Sequence, residues 1–160
     1  MSPRAISEHA LHHPPLLRVD DTVQSAVEQV LESGMPALAA VDGRERFAGI
    51  FGEREFMSAL FPGYVRQLRG AAFLPRSLDE ALEKREACRM EPVGRHLTTG
   101  HVEVGPDFSD VQLAEIFLHH RVLVVPVIAD GRVEGLLTRR DYFRALAERF
   151  VERPAADRRR

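Results

Sequence analysis

The feature that most constrains the fold of this chain is an internal repeat, in which the segment starting at Pro36 returns 86 positions later at Val122. The later copy, VLVVPVIADGRVEGLLTRRD, indicates two strands joined by a tight turn and followed directly by a helix. The earlier copy, PALAAVDGRERFAGIFGERE, has the same layout. The spacing is kept by the pairs Asp21 and Asp107, Gly49 and Gly135, Phe56 and Tyr142, and Leu60 and Leu146. Because a small sheet cannot bury its apolar face alone, the duplication predicts two units packed with pseudo-twofold symmetry.

Each copy is predicted to have the element order β-α-β-β-α, from the spacing of apolar residues and from capping residues. In the first copy we expect a strand at 16–19, a helix capped by Asp20, Asp21 or Thr22 and stopped by Gly34, strands at 37–41 and 47–51, and a helix at 52–60. In the second copy we expect a strand at 101–104, a helix at 109–120, strands at 123–128 and 132–137, and a helix at 139–151. The predicted fold class is therefore α/β, more narrowly α+β.

The two copies do not account for the whole chain. We divide it into a first repeat with an N-terminal arm (1–61), a helical insert or linker (62–95), a second repeat (96–151) and a basic tail (152–160). In the insert, Ser77 and Glu80 form a capping box that predicts a helix running to Met90. The stretch 63–75 is too apolar for a free linker, so we expect it to pack on the core or on a partner.

The composition is ordinary for a soluble globular protein, with 44% hydrophobic and 29% charged residues. The longest apolar run, 122–129, is much shorter than the roughly 18–20 residues that cross a bilayer. The N-terminus lacks the apolar core of a secretory signal, and the lone Cys88 excludes an intrachain disulfide. We therefore expect a cytoplasmic protein that does not enter membranes.

The charge distribution argues against nucleic acid as the main partner. The formal net charge is -2, and positive charge is concentrated only in the tail that ends at Arg158–Arg160. A terminal basic run of this kind is typical of a solvated chain end. Nucleic-acid binding through the tail stays the weaker alternative.

No set of residues in the sequence indicates catalysis. The chain has neither a GxxxxGK[ST] loop nor a GxGxxG turn, and Cys88 has no patterned histidine as a base. His9, His12 and His13 lie beside Pro14 without the helical or hairpin spacing that a metal site needs, so we expect a flexible or draping arm. The chain is thus predicted not to be an enzyme, to require no cofactor and to bind no metal.

The repeated pattern resembles the cystathionine-β-synthase (CBS) domain, and two copies in tandem are similar to a Bateman module. The resemblance rests on PVGRHLTTGHVEVGPD and VVPVIADGRVEGLLTRRDYFRAL in the second copy. A weaker version is present in PPLLRVDDTVQSAVEQVLESG and AAVDGRERFAGIFGEREFMSAL. The resemblance implies clefts between paired sheets that bind AMP, ADP, ATP or S-adenosylmethionine. It also implies a regulatory or sensing role, homodimers and no catalytic residues.

The helix start of the second copy is the candidate ligand site. Thr138 and Asp141 match the family's Thr/Ser-x-x-Asp position, where a helix N-terminus faces a phosphate and the carboxylate accepts the ribose hydroxyls. The same pair also suits simple helix capping, and the motif alone does not separate the two interpretations. The first copy has Gly52 and Glu55 at these positions. We interpret it as a degenerate site in which capping is the main role.

Six other residues are assigned to this site. Thr98 lies before the first strand of the second copy and Val102 lies on it. Val124 and Pro126 form the cleft wall, and Arg139 and Arg140 lie near the phosphate. Apolar walls suit a buried adenine ring. Leu123 and Val124 precede the proline strand where strong phosphate sensors of the family carry His or Arg. The resemblance therefore favours AMP, ADP or a neutral adenosyl group over a triphosphate.

Two functional hypotheses follow. The first is a regulatory or sensor module that binds an adenosine-containing ligand in the second repeat and acts on its own homodimer or on a separate effector protein. The second is a ligand-free module for dimerisation or protein interaction, with its clefts filled by side chains.

Overall fold

A computed structural model describes residues 3–61 and 77–153. These residues form two compact units, each with one three-stranded sheet, and the predicted α+β class is confirmed. In chain order the elements are β1 (Leu11–His12), β2 (Leu17–Arg18), α1 (Val23–Ser33), β3 (Ala37–Val41), β4 (Phe47–Gly52), α2 (Glu53–Leu60), α3 (Leu78–Lys84), α4 (Asp110–His119), β5 (Val124–Ala129), β6 (Arg132–Thr138) and α5 (Arg139–Glu152). The predictions for stretch 63–75 and for Arg158–Arg160 lie outside the described residues.

Of the described residues, the first unit contains 14–61 and 77–101 and has the sheet order β2-β3-β4; we call it the 14–101 unit. β2 is parallel to β3, and β3 and β4 form an antiparallel hairpin in which Ala37 pairs with Gly52. Every residue of β3 is buried. An isolated bridge joins Ile50 to Thr98 on the free side of β4, so the segment before the second repeat belongs to this unit.

Of the described residues, the second unit contains 3–13 and 102–153 and has the sheet order β1-β6-β5. β5 and β6 form the hairpin, in which Val124 pairs with Thr138, and β1 is antiparallel to β6. Val104 makes a parallel bridge to Val127 on the outer side of β5. The core of this unit is a cluster of buried side chains from β5, β6 and the surrounding segments: Ile6, Ala10, Val104, Phe108, Leu113, Val125, Val127, Leu137 and Tyr142.

The compact units therefore divide the chain differently from the sequence repeats. We call residues 3–13 the first lead-in and residues 93–101 the second lead-in. The first lead-in completes the sheet of the second repeat, and the second lead-in completes that of the first. His12 pairs with Leu136 and Thr98 with Ile50, and both pairs are related by the 86-residue spacing. Each hairpin thus pairs along one edge with a segment from the other repeat, through the strand β1 in one case and through a single bridge at Thr98 in the other.

Contacts with Asp110 and Phe108 hold the first lead-in in place. The backbone N–H groups of Ile6 and Ser7 donate to the two Asp110 carboxylate oxygens at 3.0 Å. Arg4 Nε donates to the Phe108 carbonyl at 3.0 Å, and its guanidinium lies 4.4 Å from the centre of the Phe108 ring. The arm that we expected to be flexible or draping is consequently fixed at residues 4–7 by these contacts and enters the sheet at Leu11–His12.

Two other expectations are wrong in detail. The segment 101–104 is not a strand, because within it only Val104 makes a bridge. The helix that begins after Ser77 ends at Lys84, and a separate 3₁₀ turn, Glu86–Met90, follows it. The Ser77 cap itself is confirmed, since its hydroxyl accepts from the Glu80 N–H at 3.2 Å.

The helices of the described residues are short. Within residues 3–61 and 77–153, none combines the length and the apolar character that crossing a bilayer requires.

Candidate ligand site

One face of the β1-β6-β5 sheet carries three of the residues assigned to the site, Val124, Pro126 and Thr138. Side chains alternate between faces along a strand, and Val125, Val127 and Leu137 point into the core cluster. Val124, Pro126 and Thr138 therefore share the opposite face, together with Leu136. Cross-strand partners lie on the same face, so His12, which pairs with Leu136, joins this group.

The start of α5 brings Thr138 and Asp141 together. Thr138 is the N-cap, and its Oγ1 accepts from the Asp141 N–H at 3.1 Å. The same hydroxyl donates to Asp141 Oδ2 at 2.7 Å. The pair thus makes the capping interaction that the sequence left open as an alternative. Because a helix N-terminus favours negative charge, the same geometry also suits a phosphate or a carboxylate.

His12 also contacts the start of α5, although the sequence pattern did not indicate it as a site residue. Its Nε2 lies 2.5 Å from Asp141 Oδ2, and the two side chains are 43% and 39% exposed. The carboxylate that would take a ribose is therefore bonded to the protein at one oxygen while still open to solvent. The sequence feature that could have indicated His12 was the repeat spacing, since His12 lies 86 positions before Thr98, which was assigned to the site.

Burial and hydrogen bonds act in opposite directions on Asp141. Burial raises the pKa of its carboxyl group, whereas the hydrogen bonds from Thr138 and His12 and the nearby charges of His12 and Arg140 lower it. The net result is a pKa below the ordinary value. The carboxylate is thus charged at neutral pH and able to accept hydrogen bonds.

The first repeat has an equivalent contact with different chemistry. Thr98 Oγ1 donates to Glu55 Oε2 at 2.9 Å, so Thr98 and Glu55 take the places of His12 and Asp141. Gly52 caps α2 without any side-chain hydrogen bond. The structure thus places Thr98 in the 14–101 unit beside Glu55, whereas Thr138 and Asp141 belong to the other unit.

The remaining assigned residues differ in their surroundings. Val102 is partly buried against the core cluster of the second unit. Arg139 and Arg140 are exposed in the first turn of α5, and the Arg139 N–H donates to the Leu123 carbonyl at 2.9 Å. Both cations therefore lie within one turn of Thr138, on the solvent side of the helix start.

A cavity of about 260 Å³ lies elsewhere, in the 14–101 unit. It is lined by side chains of α1, α2, α3 and the Glu86–Met90 turn, including Phe56, Leu60 and Leu82. None of its lining residues belongs to the assigned set. We place the candidate site by the chemistry of the α5 start and not by the volume of this cavity.

Comparison with known families identifies one segment of the chain. Residues 93–148 match the family model for the CBS domain. This second-repeat segment is a CBS domain. The matched segment contains the second lead-in, α4, the β5-β6 hairpin and most of α5.

Solved structures share the fold of this chain over most of its length. A CBS-domain protein of Streptococcus pneumoniae is 16% identical, with a TM-score of 0.66 over 96% of this chain and 90% of that one. A CBS-domain-containing protein of Agrobacterium tumefaciens is 20% identical, with a TM-score of 0.64 over 84% and 85%. CBSX2, solved in complex with AMP, is 18% identical, with a TM-score of 0.65 over 92% and 98%. At these identities the likeness establishes the fold alone.

Proposed function

We propose that this CBS-domain protein is a regulatory module built from a tandem CBS pair. We further propose that it binds an adenosine-containing ligand, with AMP or ADP favoured, at the start of α5. The observation that carries the proposal is that Asp141, in the first turn of α5, is bonded to Thr138 and His12, which share one sheet face beside the helix N-terminus. That CBSX2 holds AMP in a fold covering 92% of this chain supports the ligand class.

The proposed binding mode assigns one role to each group. The α5 N-terminus and Thr138 meet the phosphate, with Arg139 and Arg140 adding positive charge from the first turn. Asp141 accepts the ribose hydroxyls. Val124 and Pro126 provide apolar contact for the adenine. For the ribose to bind, the His12–Asp141 contact must open or shift, so His12 competes with the ligand for the carboxylate.

Calorimetry with AMP, ADP, ATP and S-adenosylmethionine tests this assignment. We expect wild-type protein to bind AMP or ADP and Asp141→Ala to bind at least about tenfold more weakly, because a hydrogen bond to a charged group contributes about 1.5–3 kcal/mol. The matched control is Glu55→Ala at the equivalent position of the first repeat, which should bind like wild type. If no ligand binds, or if Glu55→Ala loses binding while Asp141→Ala keeps it, the assignment is wrong.

A second candidate function is a ligand-free module for dimerisation or protein interaction. It is favoured by the bonds that already occupy Thr138 Oγ1 and Asp141 Oδ2 within the protein. It is also favoured by apolar side chains on the outer side of α5, where Phe143 and Phe150 are 66% and 81% exposed. Pairing of two chains through α5 is compatible with either function, so we propose a homodimer in both cases.

A further inference from the structure

The segment after α3 brings three metal-binding side-chain types together. Cys88 is buried within the 3₁₀ turn Glu86–Met90, and the Glu91 N–H donates to the Cys88 carbonyl at 3.1 Å. Side chains three positions apart align in a 3₁₀ turn, so those of Cys88 and Glu91 point to the same side. After Pro92 the chain makes another 3₁₀ turn, Val93–His96. This second turn returns the His96 ring to Glu91, with 2.7 Å between Nε2 and Oε2.

The donor atoms are close enough to share one ion. The Cys88 sulfur, a Glu91 carboxylate oxygen and a His96 ring nitrogen all lie within 4.8 Å of one another. In a tetrahedral zinc site with ordinary bond lengths, neighbouring ligand atoms are roughly 3.4–3.6 Å apart. The separation of 2.7 Å between His96 Nε2 and Glu91 Oε2 lies below this range, and every other separation is at most 4.8 Å. Side-chain rotations that move these ligand atoms by about 1 Å would therefore bring all three to bonding distance from one zinc ion.

We propose that Cys88, Glu91 and His96 bind one Zn²⁺ ion, with water as the fourth ligand. A thiolate, an imidazole and a carboxylate are together the ligand types that zinc prefers, whereas magnesium and calcium prefer oxygen alone. The thiolate and the carboxylate also neutralise the two charges of the ion. The site is independent of the proposed nucleotide site, because its three residues lie in the 14–101 unit and Asp141 does not.

Two cations near the cluster affect the binding strength. Arg85 lies close to Cys88 and Glu91, and Arg95 lies close to Glu91. Arg85 Nε is also bonded to the Ala59 carbonyl at 2.9 Å, which keeps this cation beside the cluster. These positive charges reduce the affinity for a divalent ion but stabilise its anionic ligands. We therefore expect a site of moderate affinity.

A redox or nucleophilic role for Cys88 fits the structure less well. Reactive cysteines have a lowered pKa and an exposed sulfur. Cys88 is buried, and this burial raises the pKa of its thiol despite the nearby Arg85. A metal ligand, by contrast, can be buried.

The contacts around the cluster indicate a structural role for the ion. The Val23 N–H donates to the Glu91 carbonyl at 2.9 Å, and the Val93 N–H donates to the Asp21 carbonyl at 2.7 Å. The segment that carries the cluster is thus bonded to the start of α1. A bound ion would link Cys88, Glu91 and His96, fix the conformation of this segment and so stabilise the 14–101 unit against unfolding.

Cobalt titration tests the site, with full-length protein first stripped by a chelator. Cys88 is the single cysteine of the chain, so a thiolate-to-cobalt charge-transfer band can arise only from its sulfur. We expect the band to saturate at one Co²⁺ per chain and to disappear when Zn²⁺ is added. The variants are His96→Gln and Glu91→Gln, and the control is His119→Gln at an exposed histidine of the other unit. Circular dichroism checks that each metal-free variant is folded.

The expected result is a loss of cobalt affinity of more than about tenfold in both ligand variants and no change in His119→Gln, since even outer-shell partners of a metal contribute 10–100-fold. Zn²⁺ should also raise the Tm of wild-type protein but not that of His96→Gln. The proposal is overturned if no charge-transfer band forms. It is equally overturned if both folded ligand variants keep the band, or if the band saturates at one ion per two chains through paired Cys88 residues.

Discussion

His12 and Asp141 are 129 positions apart in the chain, yet His12 Nε2 lies 2.5 Å from Asp141 Oδ2. The contact depends on the first lead-in, which adds β1 to the hairpin of the second repeat. Thr98 and Glu55 make the equivalent contact in the first repeat, at 2.9 Å. The carboxylate at each repeat's second helix is thus bonded by a side chain from the other repeat's lead-in.

We expect Asp141 to contribute to acid sensitivity. Its pKa is lowered in the folded protein, because the bonds from Thr138 and His12 and the nearby charges outweigh the effect of burial. A carboxyl group of this kind stabilises the fold above its ordinary pKa of about 4, and this contribution is lost as the pH falls through the lower folded value. The difference in free energy of unfolding between wild type and Asp141→Asn should therefore be larger at pH 7 than at pH 3. Urea denaturation at several pH values measures it.

The His12→Gln background provides the control for this prediction. Removing the imidazole takes away one of the causes of the lowered pKa, so the pH dependence of the Asp141→Asn difference should become smaller. An unchanged pH dependence in that background would mean that the His12 contact does not act on Asp141 in solution.

Gly135→Ala should detach β1 from β6. A Cβ atom at position 135 would lie 2.7 Å from the His12 carbonyl oxygen and 2.8 Å from Leu11 Cδ1, both in β1. Overpacking of this kind costs about 1–3 kcal/mol, and we expect that loss in the free energy of unfolding. Faster amide exchange at residues 11 and 12 would show that the first lead-in is the part released. Gly105→Ala is the control, because no atom lies within 4 Å of its added Cβ.

Local signals in the sequence predict the helices and hairpins well. Thr22 and Ser109, for example, each accept from the N–H three residues on and begin α1 and α4 as expected. Such signals act between near neighbours, so they do not determine which distant hairpin a two-residue strand will join. The exchange of lead-ins, and with it the roles of His12 and Thr98, is decided by pairing between distant segments. The pattern of apolar residues did not indicate that pairing.

The 86-residue repeat spacing also identifies residues that have equivalent structural roles in the two repeats. Gly49 and Gly135 match in sequence, and the structure gives both the same role. A Cβ atom at either position would lie 2.7 Å from a backbone oxygen of a lead-in, that of Thr98 or that of His12. The matched glycines therefore lie where the backbone of each lead-in packs closely against the hairpin. The strand pairing also shows that β3 and β5 are offset by 87 positions, Ala37 to Val124, because the two turns differ in length.

Gly52→Thr should destabilise the first repeat instead of restoring a ligand site there. A Cβ atom at position 52 would lie 2.3 Å from the Pro36 carbonyl oxygen and 2.4 Å from Ala37 Cβ. The backbone at Gly52 is extended, so the cost arises from these contacts and not from the backbone conformation. We expect a loss of about 1–3 kcal/mol in the free energy of unfolding. Glu55→Asp, which shortens a partly exposed side chain, serves as the control and should be tolerated.

Nucleotide titration of the Gly52→Thr/Glu55→Asp double variant completes this test. The variant carries the Thr-x-x-Asp pair of the second repeat in the first. If it were as stable as wild type and bound an additional nucleotide, the packing around Gly52 would not be what prevents a site in the first repeat.

Phe143 and Phe150 should determine whether the chain forms a homodimer. Together with Leu146 they occupy positions i, i+3 and i+7 of α5, so they form one exposed apolar stripe. Burying a phenylalanine side chain contributes about 1.5–3 kcal/mol. The Phe143→Glu/Phe150→Glu variant should therefore dimerise at least about a hundredfold more weakly, as measured by analytical ultracentrifugation over a range of concentrations. The control is Leu31→Glu, which alters a residue that is 75% exposed on α1 of the other unit. A monomeric wild type, or a dimer that is dispersed only by Leu31→Glu, would exclude α5 as the interface.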